Sequence, residues 1–395
     1  MVARSCASSA LSIVCILVLP TSIMPDGERR TRPWNLRSKS RSFDPRRLVR
    51  ARASSTPTGT DREGRTRMRR RRFATALAGL PFASLAVVPR AFAQADDWPN
   101  RNVRIVCPFT PGGSQDNIAR RLAAKLSDAF GQTFVVENRT GAGGSIAADN
   151  VAKSPSDGYS VLLGNIGSHA LVPHLYARPA YNAVTDLETV AWIGTQPNLL
   201  CCHPNFPHDT LPKLLAAAKA EPGKFSFGSS GLGTSPTLTM ELFKQKTGAD
   251  ITFISYRGAA AAAADVLAGH LPLVISNIDS LMSQVSAGKL KPVASSGAKR
   301  SPVTPDTPTF AEAVSPDLVV TSWSIWAVPK GTPAKIKDKL RAATERALET
   351  PDVAASMKAG GFEPGTMTVP EIDAYIQTEI KRWGEVIRAA GIKPQ

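Results

Sequence analysis

Cysteine, histidine and aromatic side chains are all scarce in this 395-residue chain, which carries 5 Cys, 5 His and 6% Phe, Trp and Tyr. Each shortage closes off a class of chemistry. Cys6 and Cys15 fall in the leader, Cys107 sits in an apolar run, and Cys201-Cys202 are adjacent, so no disulfide framework can be drawn. The vicinal pair leaves two readings, a strained disulfide or two ordinary thiols. His169, His174, His203, His208 and His270 show no metal-ligand spacing, and H-E-x-x-H is absent. A G-x-S-x-G elbow and a G-x-x-x-x-G-K-[ST] loop are absent too, and Gly141-x-Gly143-x-x-Ile146 lacks the third glycine of a dinucleotide fingerprint. These absences argue against an enzyme, and nothing calls for a metal or cofactor. Apolar runs are short as well: residues 11–20 cannot cross a bilayer, and nothing from residue 94 onward can.

Charge is plentiful but unevenly placed. The net +16 resembles a nucleic-acid signal until its location is considered. Residues 1–93 hold 19 of the 48 Lys and Arg but only 5 of the 32 Asp and Glu, leaving residues 94–395 at a net +2. The body therefore has no electrostatic footprint for nucleic acid. Within the leader, "MRRRRFATALAGLPFASLAVVPRAFAQ" has a basic start at Arg69–Arg72, an apolar stretch over 73–88 and a small-x-small site at Ala91-Phe92-Ala93. That is a signal peptide over 68–93, cleaved before Gln94, which implies export to the periplasm. Arg70-Arg71-Arg72-Phe73 also fits a twin-arginine pattern, so both export routes stay open. Residues 1–67, rich in Arg, Ser, Pro and Thr, read as a disordered or mistranslated upstream segment and are set aside.

From residue 94 the chain alternates strand-like and helical runs, the mark of an α/β fold. Strands are expected at 104–109, 133–137, 160–164, 190–195, 199–203, 224–228, 251–256, 273–276, 291–295 and 324–328. Helices are expected at 114–130, 145–152, 211–220, 235–247, 259–268, 281–287, 333–349, 352–359 and 370–390. The alternation predicts two α/β domains, 94–197 with 323–395 and 198–322, joined by two crossings with a ligand cleft between them.

Three glycine-rich corners each follow a strand and precede a helix: Pro111-Gly112-Gly113-Ser114, Gly141-Ala142-Gly143-Gly144-Ser145 and Ser229-Ser230-Gly231-Leu232-Gly233-Thr234-Ser235. Glycine lets a ligand approach the main chain, and Ser or Thr then stands beside the free N–H groups of a helix start. Such corners seat a phosphate, seat a carboxylate, or simply turn the chain; three on one edge of a sheet point to a cleft. Asp116 suits a first helical turn by the dipole alone, and can also accept from a ligand or a loop N–H. Arg257, in Tyr256-Arg257-Gly258, either forks onto a carboxylate or is an exposed strand-end arginine.

The stretches "VRIVCPFTPGGSQDNIAR", "VENRTGAGGSIAADNVAKSPSDGYSVLLG", "GLGTSPTLTMELFKQKTG", "SYRGAAAAAADVLAGHLPLVISNIDSL", "AGKLKPVASSGAKRSPVTPDTPTFAEA" and "RWGEVIRAAGIK" together resemble the Bug-type extracytoplasmic solute receptors of tripartite tricarboxylate transporters. The likeness covers 97–395 with its motifs in order. It implies a periplasmic-binding-protein fold that captures a small carboxylate and delivers it to a membrane permease as a monomer. It further implies that main-chain amides and ordered water hold the carboxylate at Phe109, Thr110, Pro111, Gly112, Gly113, Ser114 and Asp116, and at Gly141, Ala142, Gly143, Gly144 and Ser145. The second domain would close through Gly233, Thr234, Ser235 and Tyr256, beside Arg257. Asn165, Ile166, Gly167, Ser168 and Asn277 would line the cleft. Thr237 departs from the family, which often has His there. A ligand sensor for a membrane signalling protein, or a periplasmic enzyme acting on a carboxylic acid, are the competing readings.

Overall fold

The apolar run Val-Arg-Ile-Val-Cys forms strand β1 (Val103–Cys107), and its alternate residues Val103, Ile105 and Cys107 are fully buried. The structure, a computed structural model, describes residues 97–394; the segments 1–67 and 68–93 lie outside the described residues. Helix α1 (Ser114–Phe130) follows and ends at Gly131, whose φ of 65° is the left-handed stop that glycine adopts without strain. Strand β2 (Phe134–Asn138) pairs parallel with β1, as does β3 (Ser160–Asn165) on the other side, after helix α2 (Ser145–Ala152). A fully buried π-helical turn, Gly167–Leu171, and the short helix α3 (Val172–Leu175) come next.

Strand β4 (Leu187–Cys202) is the longest and belongs to two sheets. Its first part, to Pro197, pairs antiparallel with β9 (Thr321–Pro329), which in turn pairs with β3. Its second part, from Asn198, runs antiparallel to both β7 (Leu273–Asn277) and β8 (Lys291–Ser295). Strand β7 also pairs parallel with β5 (Phe225–Ser229), which pairs parallel with β6 (Ile251–Ser255). The order is β2-β1-β3-β9-β4-β7-β5-β6, with β8 and the two-residue β10 (Glu363–Pro364) added on β4. Helices α4 (Leu211–Ala220), α5 (Ser235–Thr247), α6 (Ala259–Leu267), α7 (Ile278–Ser286) and the four-residue α8 (Phe310–Ala313) connect the second sheet.

Three expectations differ by three residues or more from what is seen. Strand β9 begins at Thr321, three residues before the expected 324. Residues 190–195 and 199–203 are one strand, because Pro197 sits where the ladder passes from one sheet to the other and a lost N–H is tolerated. Helix α7 begins at Ile278, three residues before the expected start, directly off the end of β7.

Helices α9 (Ala334–Glu349) and α10 (Pro351–Ala359) cover the first sheet, where Ile336, Leu340, Val353 and Met357 join Ile105, Leu122 and Val328 in one apolar cluster. Helix α11 (Val369–Ala389) does something else. Its Ile372, Ile376, Trp383 and Ile387 join Trp192 and Trp323 of the first sheet's strands together with Phe227, Phe243 and Ile275 around the second. Both indole N–H groups, of Trp323 and Trp383, donate to the buried Glu379 carboxylate, at 3.4 and 2.8 Å. Cys201 and Cys202 are free and buried, and their alternation along β4 places them in different apolar clusters.

Candidate functional site

Five parallel-sheet strands, β1, β3, β5, β6 and β7, end at one cavity, as open α/β sheets lead one to expect. Four helices start there. The first residues or N-caps of α1 (Gly113, Ser114), α5 (Thr234, Ser235), α6 (Gly258, Ala259) and α7 (Asn277) all line an inner chamber of about 60 Å³. None of these four helices has a side-chain hydrogen bond at its N-cap. Their first-turn N–H groups, which the helix cannot satisfy internally, therefore face the chamber side of the fold with the positive ends of four dipoles. The chamber lining contains no Asp or Glu; its single charged residue is Arg257. An anion is the ligand such a wall favours.

Strand β4 holds the helix starts in place with two fully buried amides. Gln196 Nε2 donates to Ser114 Oγ at 2.5 Å, at the start of α1. Asn198 Oδ1 accepts from Ser235 Oγ at 3.2 Å, and its Nδ2 donates to Thr239 Oγ1 at 2.9 Å, both on α5. Gln115 lines the chamber and is 3% exposed; its Oε1 accepts from Ser324 Oγ at 3.1 Å, while its Nε2 has no partner. A buried donor without an acceptor is costly.

Asp116 does not reach the chamber. Its Oδ2 accepts the Gly112 N–H at 2.9 Å and Arg120 Nε at 2.8 Å, and its Oδ1 accepts Asn138 Nδ2 at 2.8 Å. Asn138 Nδ2 also donates to the Phe109 carbonyl at 2.9 Å, so the pair grips both ends of the 109–112 loop. Burial opposes the charged form of Asp116, but the Arg120, Gly112 and Asn138 donors outweigh it and hold the carboxyl below its usual range. Asp279, in the first turn of α7, shows the opposite balance: burial at its carboxyl dominates over the Ser114 hydroxyl and pushes it up to about 6.

Outside the chamber, and sharing Phe109, Thr110, Ser230, Gly233 and Arg257 with it, lies a vestibule of about 630 Å³. Gly141, Ala142 and Gly143 line it, with Tyr176, Tyr256, Leu175, Leu232 and the cation Lys393. The second glycine corner thus borders the outer space and not the chamber. Gly144 packs towards Pro108 and Asn165 instead. Among the sequence-derived residues, Phe109, Thr110, Gly113, Ser114, Asn165, Ile166, Gly167, Gly233, Thr234, Ser235, Arg257 and Asn277 line the chamber. Pro111, Gly112, Asp116, Gly144, Ser145 and Ser168 line neither space. Ser168 is a brace: its N–H donates to Asn165 Oδ1 at 2.9 Å and its Oγ accepts from Asn165 N–H at 3.0 Å. Sequence reading missed Gln115, Ser276, Ser280 and Ser322 in the chamber and Tyr176 and Lys393 outside it. None of these carries a motif or a periodicity that separates it from an ordinary surface residue.

Among the described residues no cluster of three or more His, Cys, Asp or Glu could hold a metal, and no helix is long and apolar enough to cross a membrane.

Comparison with known proteins identifies the family. Residues 118–392 match the family described as the tripartite tricarboxylate transporter family receptor. The protein BugT of Bordetella pertussis is 37% identical over 320 residues, covering 80% of this chain and 97% of BugT. A solved structure titled "R. palustris Rpa4515 with adipate" has a TM-score of 0.72 at 37% identity, covering 75% of this chain and 100% of that one. MatC of Rhodopseudomonas palustris, solved with bound malate, has a TM-score of 0.69 at 30% identity and covers 73% of this chain and 100% of MatC. The periplasmic binding protein BugD has a TM-score of 0.71 at 32% identity, over 75% of this chain and 100% of BugD. With its fold and nearly the whole of its body matched, the chain belongs to the Bug-type tripartite tricarboxylate transporter receptors, a family of periplasmic solute-binding receptors and not of enzymes.

Proposed function

We propose that this receptor captures a small carboxylate with its acid group in the chamber, on the N–H groups at the start of α1 and the Gln115 amide. The observation that carries the reading is the convergence of four helix N-termini without side-chain caps on a chamber that has no acidic residue. A chamber of about 60 Å³ suits an acid group with a water or two, at about 10–15 Å³ each, and not a whole metabolite. The rest of the ligand extends into the vestibule, beside Arg257 and Lys393. Two related receptors whose structures hold adipate and malate support a carboxylate as the cargo.

In this reading residues 94–197 with 323–395 form one domain and 198–322 a second, which closes on the ligand through Gly233, Thr234, Ser235 and Tyr256. Gly143 and Gly167 from one side meet Gly233 from the other, and the first two glycine corners frame the acid. Affinity drawn from N–H donors and a closing hinge remains reversible, as delivery to a membrane permease requires. The mature protein, freed of its leader near Ala93, acts in the periplasm as a monomer.

A thermal-shift screen against carboxylic acids, malate and adipate included, tests the reading, since a ligand of the native state raises stability by mass action. A crystal grown with the best acid should show its carboxylate within hydrogen-bonding distance of the Ser114 and Gln115 N–H groups. An acid group bound away from the α1 N-terminus, or no stabilisation by any acid in the panel, would overturn it.

A further inference from the structure

Ser296, the residue after β8, is fully buried and lies between the two places where the chain passes from one sheet to the other. The outward passage is β4 at Pro197-Asn198, and the return runs through Val320 into the start of β9 at Thr321. Pro197 and Thr321 are the last partners of the β4–β9 ladder. One residue further the two strands part, and Ser296 fills the fork with four hydrogen bonds. Its Oγ accepts the Asn198 N–H at 2.7 Å and donates to the Val320 carbonyl at 2.5 Å. Its own N–H donates to the Asn198 carbonyl at 2.9 Å, and its carbonyl accepts the Val320 N–H at 2.8 Å. The hydroxyl thus uses its one donor on the return passage and a lone pair on the outward one. Gly297 packs closely behind, since a methyl there would touch Pro197 Cβ at 3.4 Å.

The same two passages carry groups that hold the chamber. Gln196, one residue before Pro197, binds the start of α1 through Ser114. Asn198 binds α5 through Ser235 and Thr239, and Ser322, two residues beyond Val320, lines the chamber. We propose that Ser296 is a positioning residue for ligand binding: its hydroxyl clasps the two passages so that they bend as one when the domains close. The proposal rests on the reading that 198–322 closes as a domain on the ligand. A hinge is a few residues at element ends, and two crossing strands bend independently unless something couples them. With the clasp intact, one motion brings the α1 and α5 starts to the ligand together. Without the hydroxyl, the Asn198 N–H and the Val320 carbonyl lose their shared partner and the passages bend separately. Closure must then order more conformational freedom, which weakens binding.

Ser296→Ala tests the clasp, and Thr344→Val is the control, because Thr344 is an equally buried hydroxyl that donates to Leu340 within α9. Nitroxides at Asp128→Cys on α1 and Lys219→Cys on α4, both exposed, report the interdomain distance by pulsed electron paramagnetic resonance. Cys107, Cys201 and Cys202 are buried and should escape labelling. In ligand-free protein Ser296→Ala should at least double the width of the distance distribution, while Thr344→Val keeps the parent width. Calorimetry with the best acid of the thermal-shift screen should show at least fivefold weaker affinity for Ser296→Ala and parent affinity for Thr344→Val. Ser296→Cys keeps a weak donor and acceptor in place and should fall between the two; it takes the place of the alanine variant should that one not fold. Parent-like width in Ser296→Ala, or an equal loss in Thr344→Val, would overturn the clasp. Broadening without loss of affinity would make the hydroxyl structural and end its role in binding. If no acid binds, the carboxylate reading fails by itself, and the ligand-free widths decide the clasp.

Discussion

Gly143 and Gly233, from loops that follow β2 and β5, meet backbone to backbone: a methyl group on Gly143 would lie 2.6 Å from the Gly233 carbonyl oxygen. Gly167 completes the contact, since a methyl there would run into the carbonyl oxygens of both Gly143 and Gly233. Only residues without a side chain allow three loops to close this tightly. Gly143→Ala should therefore weaken carboxylate binding at least tenfold, or about 1.4 kcal/mol, in calorimetry. Gly131→Ala is the control, because Gly131 has a similar φ of +65° but nothing within 4 Å of an added methyl. Equal affinity for the two variants would show that the glycine contact is irrelevant to binding.

At the chamber itself, Gly113→Val would press a side chain onto the Thr110 carbonyl, 3.2 Å from the first added carbon. Gly144 lines neither space, but Gly144→Val adds strain at φ +106° and contacts at 3.1 Å with Pro108 and 3.4 Å with Asn165, a residue of the chamber lining. Both should abolish binding while circular dichroism stays that of the parent. Parent-like affinity in either would remove that corner from the site.

Ser114→Ala should cost about 1 kcal/mol of ligand affinity, the worth of one neutral hydrogen bond. Gln115→Leu deletes the unpartnered Nε2 donor and should cost more, about 1.5–3 kcal/mol if that donor meets a charged oxygen. Calorimetry on the two variants with one acid decides between them; a smaller loss for Gln115→Leu would mean that its amide faces water in the complex.

Asp116→Asn loses the charged partner of Gly112 and Arg120, which should cost about 1.5–3 kcal/mol of stability at pH 7. The sign with pH follows from a folded pKa below the ordinary 3.8: the contribution is complete above 3.8 and disappears as pH falls through the folded value. Denaturant curves of parent and variant should therefore converge below pH 3.8. A difference that persists undiminished at pH 2 would assign the loss to shape and not to charge.

His169 titrates at about 4 in the folded protein, against 6.5 ordinarily, because burial disfavours the imidazolium. The unfolded chain then takes up a proton that the native state refuses, so stability falls as pH drops from 6.5 towards 4. An NMR titration of the His169 ring should show no protonation at pH 5.5. A midpoint near 6.5 would contradict the buried setting.

Much of the local structure was legible from the chain. The boundaries of α1, α2, α4 and α5 coincide with the patterns that predict them, because apolar spacing and Gly or Thr caps act over a few residues. Gly113 and Gly233 were legible as chamber residues through the strand–glycine–helix pattern. Asp116 was legible as important but ambiguous in role: the same residue in the same first turn can face a ligand or a loop N–H, and only its distance to Gly112 separates the two. Gln115, beside it, carried no signal at all, since helical periodicity does not say that a polar residue faces a chamber and not solvent.

The chain by itself determined its elements, its α/β class, the small net charge of its body and the places where glycine would bare the main chain. All of these follow from contacts within one helix turn, one strand or one corner. The tertiary structure alone decided that Pro197 carries one strand through two sheets, that Gln196 and Asn198 hold opposite helix starts, and that the second glycine corner faces the vestibule. It also decided that His169 ends buried with one nitrogen unpartnered. Those outcomes depend on partners 40 to 200 residues away, and which distant groups meet is set by how the sheets and helices pack, not by any neighbour in sequence.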